Sequence, residues 1–202
     1  NLQAGWNQIG NPYPVTISWE EVRDQNAAVG ELKTYRNGNW TNGDALQAYE
    51  GGFVFAQSAV SGLKVRFQGI TSGGRLASTS ANLDAEHWEV PITIAQGEYA
   101  NAIGGIGMHK ESIDGRDRLD DYNPPSVSHR LELAFNTTDG KLAKSVVNNQ
   151  VGYSWDFTAH AEGEGDVSLS WDNSSFGDND VKLFLYDEVR VAFIDMRKNN
   201  SY

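Results

Sequence analysis

The sequence predicts an all-β chain: an antiparallel β-sandwich, or two β halves packed together, with one or two short helices. Three observations carry this. Apolar residues recur at every second position in several segments, as with Leu63, Val65 and Phe67 of LKVRFQ, which is the period of a strand with one buried face. Twenty-one glycines and two Asn-Gly pairs supply the tight turns such strands need. Helical periodicity is confined to a few short windows. At 202 residues and 39 % apolar content the chain can bury a core as a single module, 1–202, open to an internal seam at 70–82.

In chain order, LQAGWNQIG (2–10) reads as the first strand. Asn11-Pro12-Tyr13-Pro14 ends it, because two prolines remove two ladder donors. Ser18 with Glu21 fits a capping box, predicting a helix through Trp19 and Val22 to about Ala28. Strands follow at 32–35, 52–56 and 63–68, with both Asn-Gly pairs of RNGNWTNGD read as turns. The small-residue stretch GITSGGRLASTSAN is the expected seam. HWEVPITIA restarts the sheet with Trp88, Val90, Ile92 and Ile94 on one face, and Pro91 places it at an edge or a bulge.

The segment 104–135, GGIGMHKESIDGRDRLDDYNPPSVSHRLELAF, concentrates glycine, acid and a double proline, and leaves as an alternating strand at Leu131, Leu133 and Phe135. One or two helical turns are expected over 141–147. GYSWDFTA and VSLSW are expected to pair as a hairpin around HAEGEGD. VKLFLYDEVRVAFIDM forms another, turning near Asp187-Glu188.

Charge narrows the partners. Sixteen basic against 27 acidic residues give −11, so a nucleic-acid backbone is not an expected ligand. No apolar run reaches the about 20 residues of a membrane helix, so no membrane insertion is expected. With no cysteine, thiolate chemistry and disulfides are excluded. The four histidines show no metalloprotease spacing, there is no G-x-S-x-G elbow, and Gly104-Gly105-Ile106-Gly107 precedes no helix that would make it a phosphate loop. The reading is therefore non-catalytic.

Two groups of residues point to ligands. Asp114, Asp117, Asp120 and Asp121 supply the hard oxygens that calcium takes, with Gly115 allowing a sharp turn. Arg116 and Arg118 alternate with these acids and offer a second reading, an ion-paired loop without metal. Trp40 lies in a polar Asn-Gly segment with Tyr35 and Tyr49 nearby, and Tyr122 stands between acids and Asn123-Pro124. Such rings stack on the apolar faces of sugars. Trp6, Trp155 and Trp171 fall in strand patterns and are assigned to the core.

GWNQIGNPYPVTISWEEV, YRNGNW and EGGFVFA, then GGIGM, DRLDDYNPP and LSWDNSSFGDND, and finally LFLYDE and FIDMRKNNSY, together resemble one family across nearly the whole chain. It is a β-rich domain that precedes the C-terminal sorting domain in large secreted proteins of the type IX secretion system. The resemblance implies an exported or cell-surface protein with neighbouring domains on the same polypeptide, and assigns no catalytic residue. The expected function is thus an accessory module binding a polysaccharide or other surface glycan, with calcium as a structural ion. The competing expectation is a passive spacer without a ligand of its own.

Overall fold

The structure, a computed structural model, describes residues 1–65, 87–113, 115–127, 130–138, 140–177 and 179–202. The expected seam at 70–82, residues 66–68 of the strand read from LKVRFQ, and Asp114 lie outside the described residues. The chain is mostly β. It divides into two compact units, Asn1–Arg36 with Trp40–Ser80, and Asn37–Asn39 with Ala81–Tyr202.

In the first unit β1 (Gly5–Gly10) is followed by β2 (Ile17–Ser18), α1 (Trp19–Gln25) and β3 (Val29–Arg36), then β4 (Asn39–Gly43), β5 (Ala45–Leu46) and β6 (Gly51–Ala56). The sheet runs β1-β6-β3-β4, while β2 pairs with β5. The core gathers Trp19 and Val22 of the helix with Leu32, Leu46 and Val54. Ser18 is the N-cap of α1 as expected, but its side chain makes no capping bond. The helix is anchored instead by the Trp19 backbone N–H on Asp44 O and by the indole N–H on Gly30 O at 2.9 Å.

Only one of the two Asn-Gly pairs turns the chain. Asn37 and Gly38 both take positive φ, as a two-residue hairpin turn requires. Asn42-Gly43 lies inside β4, where Asn42 Oδ1 accepts from the buried Lys33 Nζ at 2.6 Å. A Cβ on Gly43 would stand 3.0 Å from Leu32 Cδ2, so glycine here makes room for the core rather than for a turn. Residues 63–65 are irregular, not strand.

The second unit contains β7 (His87–Gln96), β8 (Tyr99–His109), β9 (Asp121–Tyr122), β10 (Leu131–Thr137), β11 (Gly140–Val147), β12 (Phe157–Ala161), β13 (Ser168–Trp171), a 3-10 turn at Asn173–Phe176, β14 (Phe184–Asp187) and β15 (Ala192–Asp195). Its sheet runs β13-β7-β8-β11-β10-β12, with β9 on β11 and β14–β15 as a separate hairpin. The predicted face of β7, Trp88, Val90, Ile92 and Ile94, is buried throughout. Pro91 sits one residue before the stretch where β13 pairs and beside a register shift, so its missing N–H interrupts no bond on that side.

Three expectations are corrected here. The sheet is mixed, not a purely antiparallel sandwich, because β11 runs parallel to β8 from Lys144↔Gly105 to Val147↔Met108. Segment 141–147 is strand β11, not helix. Its Lys, Leu and Ala are good helix formers, but propensity yields to tertiary context, and as a strand Val146 and Val147 gain burial between neighbours on both sides. Finally, β12 and β13 form no hairpin with each other, since β12 pairs with β10 and β13 with β7, at opposite edges of the sheet.

The glycines of β8 explain the GGIG run. A Cβ on Gly104 would lie 2.7 Å from Ile92 O, and one on Gly107 2.6 Å from Trp88 O. They let β8 lie close against β7.

Candidate functional site

The ring expected to lead ligand stacking is not at the surface. Trp40 lies in β4, is 5 % exposed, and packs against Tyr35 at 5.1 Å and Phe53 at 5.7 Å between centroids. This corrects the placement of Trp40 in an open loop: the Asn-Gly pair that made it look like a loop belongs to the strand. Tyr35 is half-buried in the same cluster. Tyr122 is half-buried in β9 with the Arg116 guanidinium 4.7 Å over its ring, so one ring face is already covered. Of the tryptophans assigned to the core, Trp171 is buried, while Trp6 and Trp155 are half-buried.

Tyr49 stands where the sequence put it. It is 71 % exposed and holds φ +61°, a left-handed conformation that non-glycine residues adopt at a cost. Its turn is fixed by Gln47 N–H donating to Glu50 Oε2 at 2.8 Å, with Arg36 paired to the same glutamate. The buried Asn11 staples this turn to the Pro12-Tyr13-Pro14 loop. Its Nδ2 donates to Val15 O at 2.7 Å and to Gln47 O at 2.9 Å, and its Oδ1 accepts from Tyr13 N at 3.0 Å. Two exposed tyrosines, Tyr13 and Tyr49, thus sit on loops locked together by one side chain.

In the acidic run Asp117 and Asp120 accept mostly from backbone donors. Asp117 accepts from Ser112 Oγ at 2.7 Å, Ile113 N at 2.9 Å and Leu119 N at 2.7 Å. Asp120 accepts from Asp117 N at 3.0 Å and from Val146 N at 2.9 Å, tying the loop to β11. Asp121 lies 4.0 Å from Lys144 Nζ, and Arg118 pairs with Glu111. Among the described residues no three of His, Asp and Glu converge as ion ligands. Asp117 and Asp120 thus cap N–H groups of their own loop and of β11, and Asp121, in β9, faces Lys144.

Burial pushes the Asp120 carboxyl up to about 6 from its usual 3.8, with a smaller push from the Asp117 charge; the two N–H donors and Lys144 oppose the rise. A raised acid pKa means the folded state holds the proton more tightly than the unfolded one. Asp120 therefore contributes its stability fully below about 3.8, and that contribution is lost as pH rises to about 6. In a carbon-detected NMR titration, one aspartate carboxyl should titrate near 6 and vanish in Asp120→Asn. A midpoint below 4.5 would mean that the loop is more open to water than described.

Sequence reading missed the outer face of the β14–β15 hairpin. Register places Tyr186 opposite Phe193 and Phe184 opposite Asp195, while Leu185 opposite Ile194 turns into the core. Tyr186 and Phe193 stack at 4.4 Å with 29° between planes, and Phe184, Tyr186 and Phe193 are all exposed. The signal was present: Leu183, Phe184, Leu185 and Tyr186 are apolar on both parities, and a two-stranded hairpin can bury only one. The hairpin is braced by Asp187, which accepts from Val189 N, Arg190 N and Tyr202 Oη at 2.7–2.9 Å. These bonds hold its carboxyl below the usual range.

Comparison with protein-family models, with curated proteins and with solved structures gives no match. Among the described residues no helix is long and apolar enough to cross a membrane.

Proposed function

We propose that this chain is a non-catalytic accessory module of an exported or cell-surface bacterial protein, and that it binds a polysaccharide or other surface glycan. The observation that carries the proposal is Tyr49, an exposed ring held at positive φ on a turn stapled by Asn11. Strain retained at an exposed aromatic has no packing return, and a fixed ring loses little entropy on stacking against a sugar. The resemblance to the type IX secretion block supports the location.

Tyr49→Ala should weaken retention on an insoluble glycan about 5–10-fold, the loss of roughly 1 kcal/mol of stacking. Tyr49→Gly, which accepts the positive φ without strain, should bind equally poorly yet fold more stably. Full retention by both variants would remove Tyr49 from the site.

The spacer reading is favoured by one observation, the burial of Trp40 in its own unit's packing. It predicts no retention on any glycan. Structural calcium would have to displace the hydrogen bonds that Asp117 and Asp120 now accept. Melting with calcium and with chelator tests this directly: a ligand confined to the folded state raises Tm. A higher Tm in calcium would support the ion, and equal values would leave the hydrogen-bonded loop as described.

A further inference from the structure

The geometry points to a second sugar-stacking site, on the outer face of the β14–β15 hairpin, built from Phe184, Tyr186 and Phe193 and taking an uncharged oligosaccharide. This deepens the glycan-binding reading and rests on it, but at residues which that reading does not use.

The face is ordered before any ligand arrives. Leu185 and Ile194 pin its back to the core, and the Asp187 carboxylate closes the turn and holds Tyr202. Phe193 is 72 % exposed, so the ring stacked on Tyr186 presents its outer side to solvent. Rigid aromatic rings are costly to leave in water and lose little freedom on binding.

Size and charge select the occupant. Three aromatic residues 53 %, 44 % and 72 % exposed make a patch well under the about 800 Å² per partner of a stable protein interface, but wide enough for one or two sugar rings. Segment 182–198 carries four basic and three acidic side chains on a chain of net charge −11. It offers no cationic cluster to a polyanion and no acidic cluster to a cationic one. Asp195 pairs with Lys198 at 3.2 Å beside Phe184, a polar rim suited to hydroxyl groups. An uncharged pyranose, apolar on its face and hydroxylated at its edge, matches both features.

The test is affinity electrophoresis of the full chain in gels carrying barley β-glucan, galactomannan or xyloglucan, with polygalacturonate as the charged comparison. Retardation in at least one neutral gel is expected, weakened 10-fold or more in Phe193→Ala and Tyr186→Ala. Both variants should keep the wild-type melting curve and near-UV spectrum outside the lost ring's own signal. Retardation lost in Tyr49→Ala but intact in Phe193→Ala would overturn this second site and leave the module reading standing. Absence of retardation in every neutral gel would overturn both, and retardation in polygalacturonate alone would overturn the uncharged ligand. Sedimentation showing a dimer that Phe193→Ala dissolves would reassign the face to self-association.

Discussion

Trp88→Ala should cost about 3–5 kcal/mol of stability, the range for removing a large aromatic from a packed core. Trp88 is 1 % exposed in the middle of the second unit's core. It shares the inner face of β7 with Val90, Ile92 and Ile94 and meets Trp155 edge-on at 6.0 Å. The void cannot close by moving β8, because Gly107 already lets that strand lie against the Trp88 carbonyl. Tm should fall by about 10 °C or more. Phe193→Ala removes a ring of similar size from the surface and should change stability by less than about 1 kcal/mol. If the two substitutions cost the same in denaturant unfolding, the assignment of one ring to the core and the other to solvent is wrong.

That pair of rings also shows how far sequence reading reached. Period-two patterning located β7 because it has one face in the core and one more open to water, and β10 because Leu131, Leu133 and Phe135 alternate with Glu132 and the small Ala134. In the β14–β15 hairpin residues of both parities are apolar, so the pattern shows that one face stays outside but not that Phe193 is on it, since exposure depends on what covers the strand. β11 was read as helix for a related reason. Strands buried on both sides lose their alternation, and a parallel neighbour such as β8 lies far away in sequence. The missing β12–β13 hairpin fits the same logic: sequence shows two strands and a turn-like loop, but not that each finds a distant partner.

The site was less legible than the fold. Trp40 and Tyr49 share an Asn- and Gly-rich neighbourhood, and composition gave them the same role. They part because Asn42 answers the buried Lys33 inside a strand, whereas Tyr49 occupies a turn closed by Glu50. Of the acidic run, Asp117 and Asp120 lie in a loop and Asp121 in β9, and carboxylates that cap backbone N–H groups and carboxylates that ligate a cation have the same letters. The N–H donors around Asp117 and Asp120 are what those letters do not show.

Asn11→Asp should be the most damaging single-atom change in the first unit at neutral pH. Asn11 is 2 % exposed, and its amide nitrogen points at the carbonyls of Val15, Leu46 and Gln47 at 2.7, 3.3 and 2.9 Å. A carboxylate there would set a negative oxygen against three acceptors, at a cost of about 3–5 kcal/mol. The sign with pH follows. Burial among acceptors raises the introduced carboxyl's folded pKa above its unfolded value of about 3.9, so stability is kept below about pH 4 and lost as pH rises through the folded pKa. The Tm gap to the parent chain should therefore be wide at pH 7 and narrow at pH 4, where the protonated acid can again donate one hydrogen bond. Asn11→Leu, which lacks the charge, should show a smaller gap that pH does not change. Because Gln47 and Tyr13 are released together, Asn11→Leu should also lose the Tyr49-dependent part of glycan retention while keeping the part that Phe193 supplies. Retention unchanged in Asn11→Leu would mean the turn carrying Tyr49 holds its shape without the staple, and the strain at Tyr49 would then need another source.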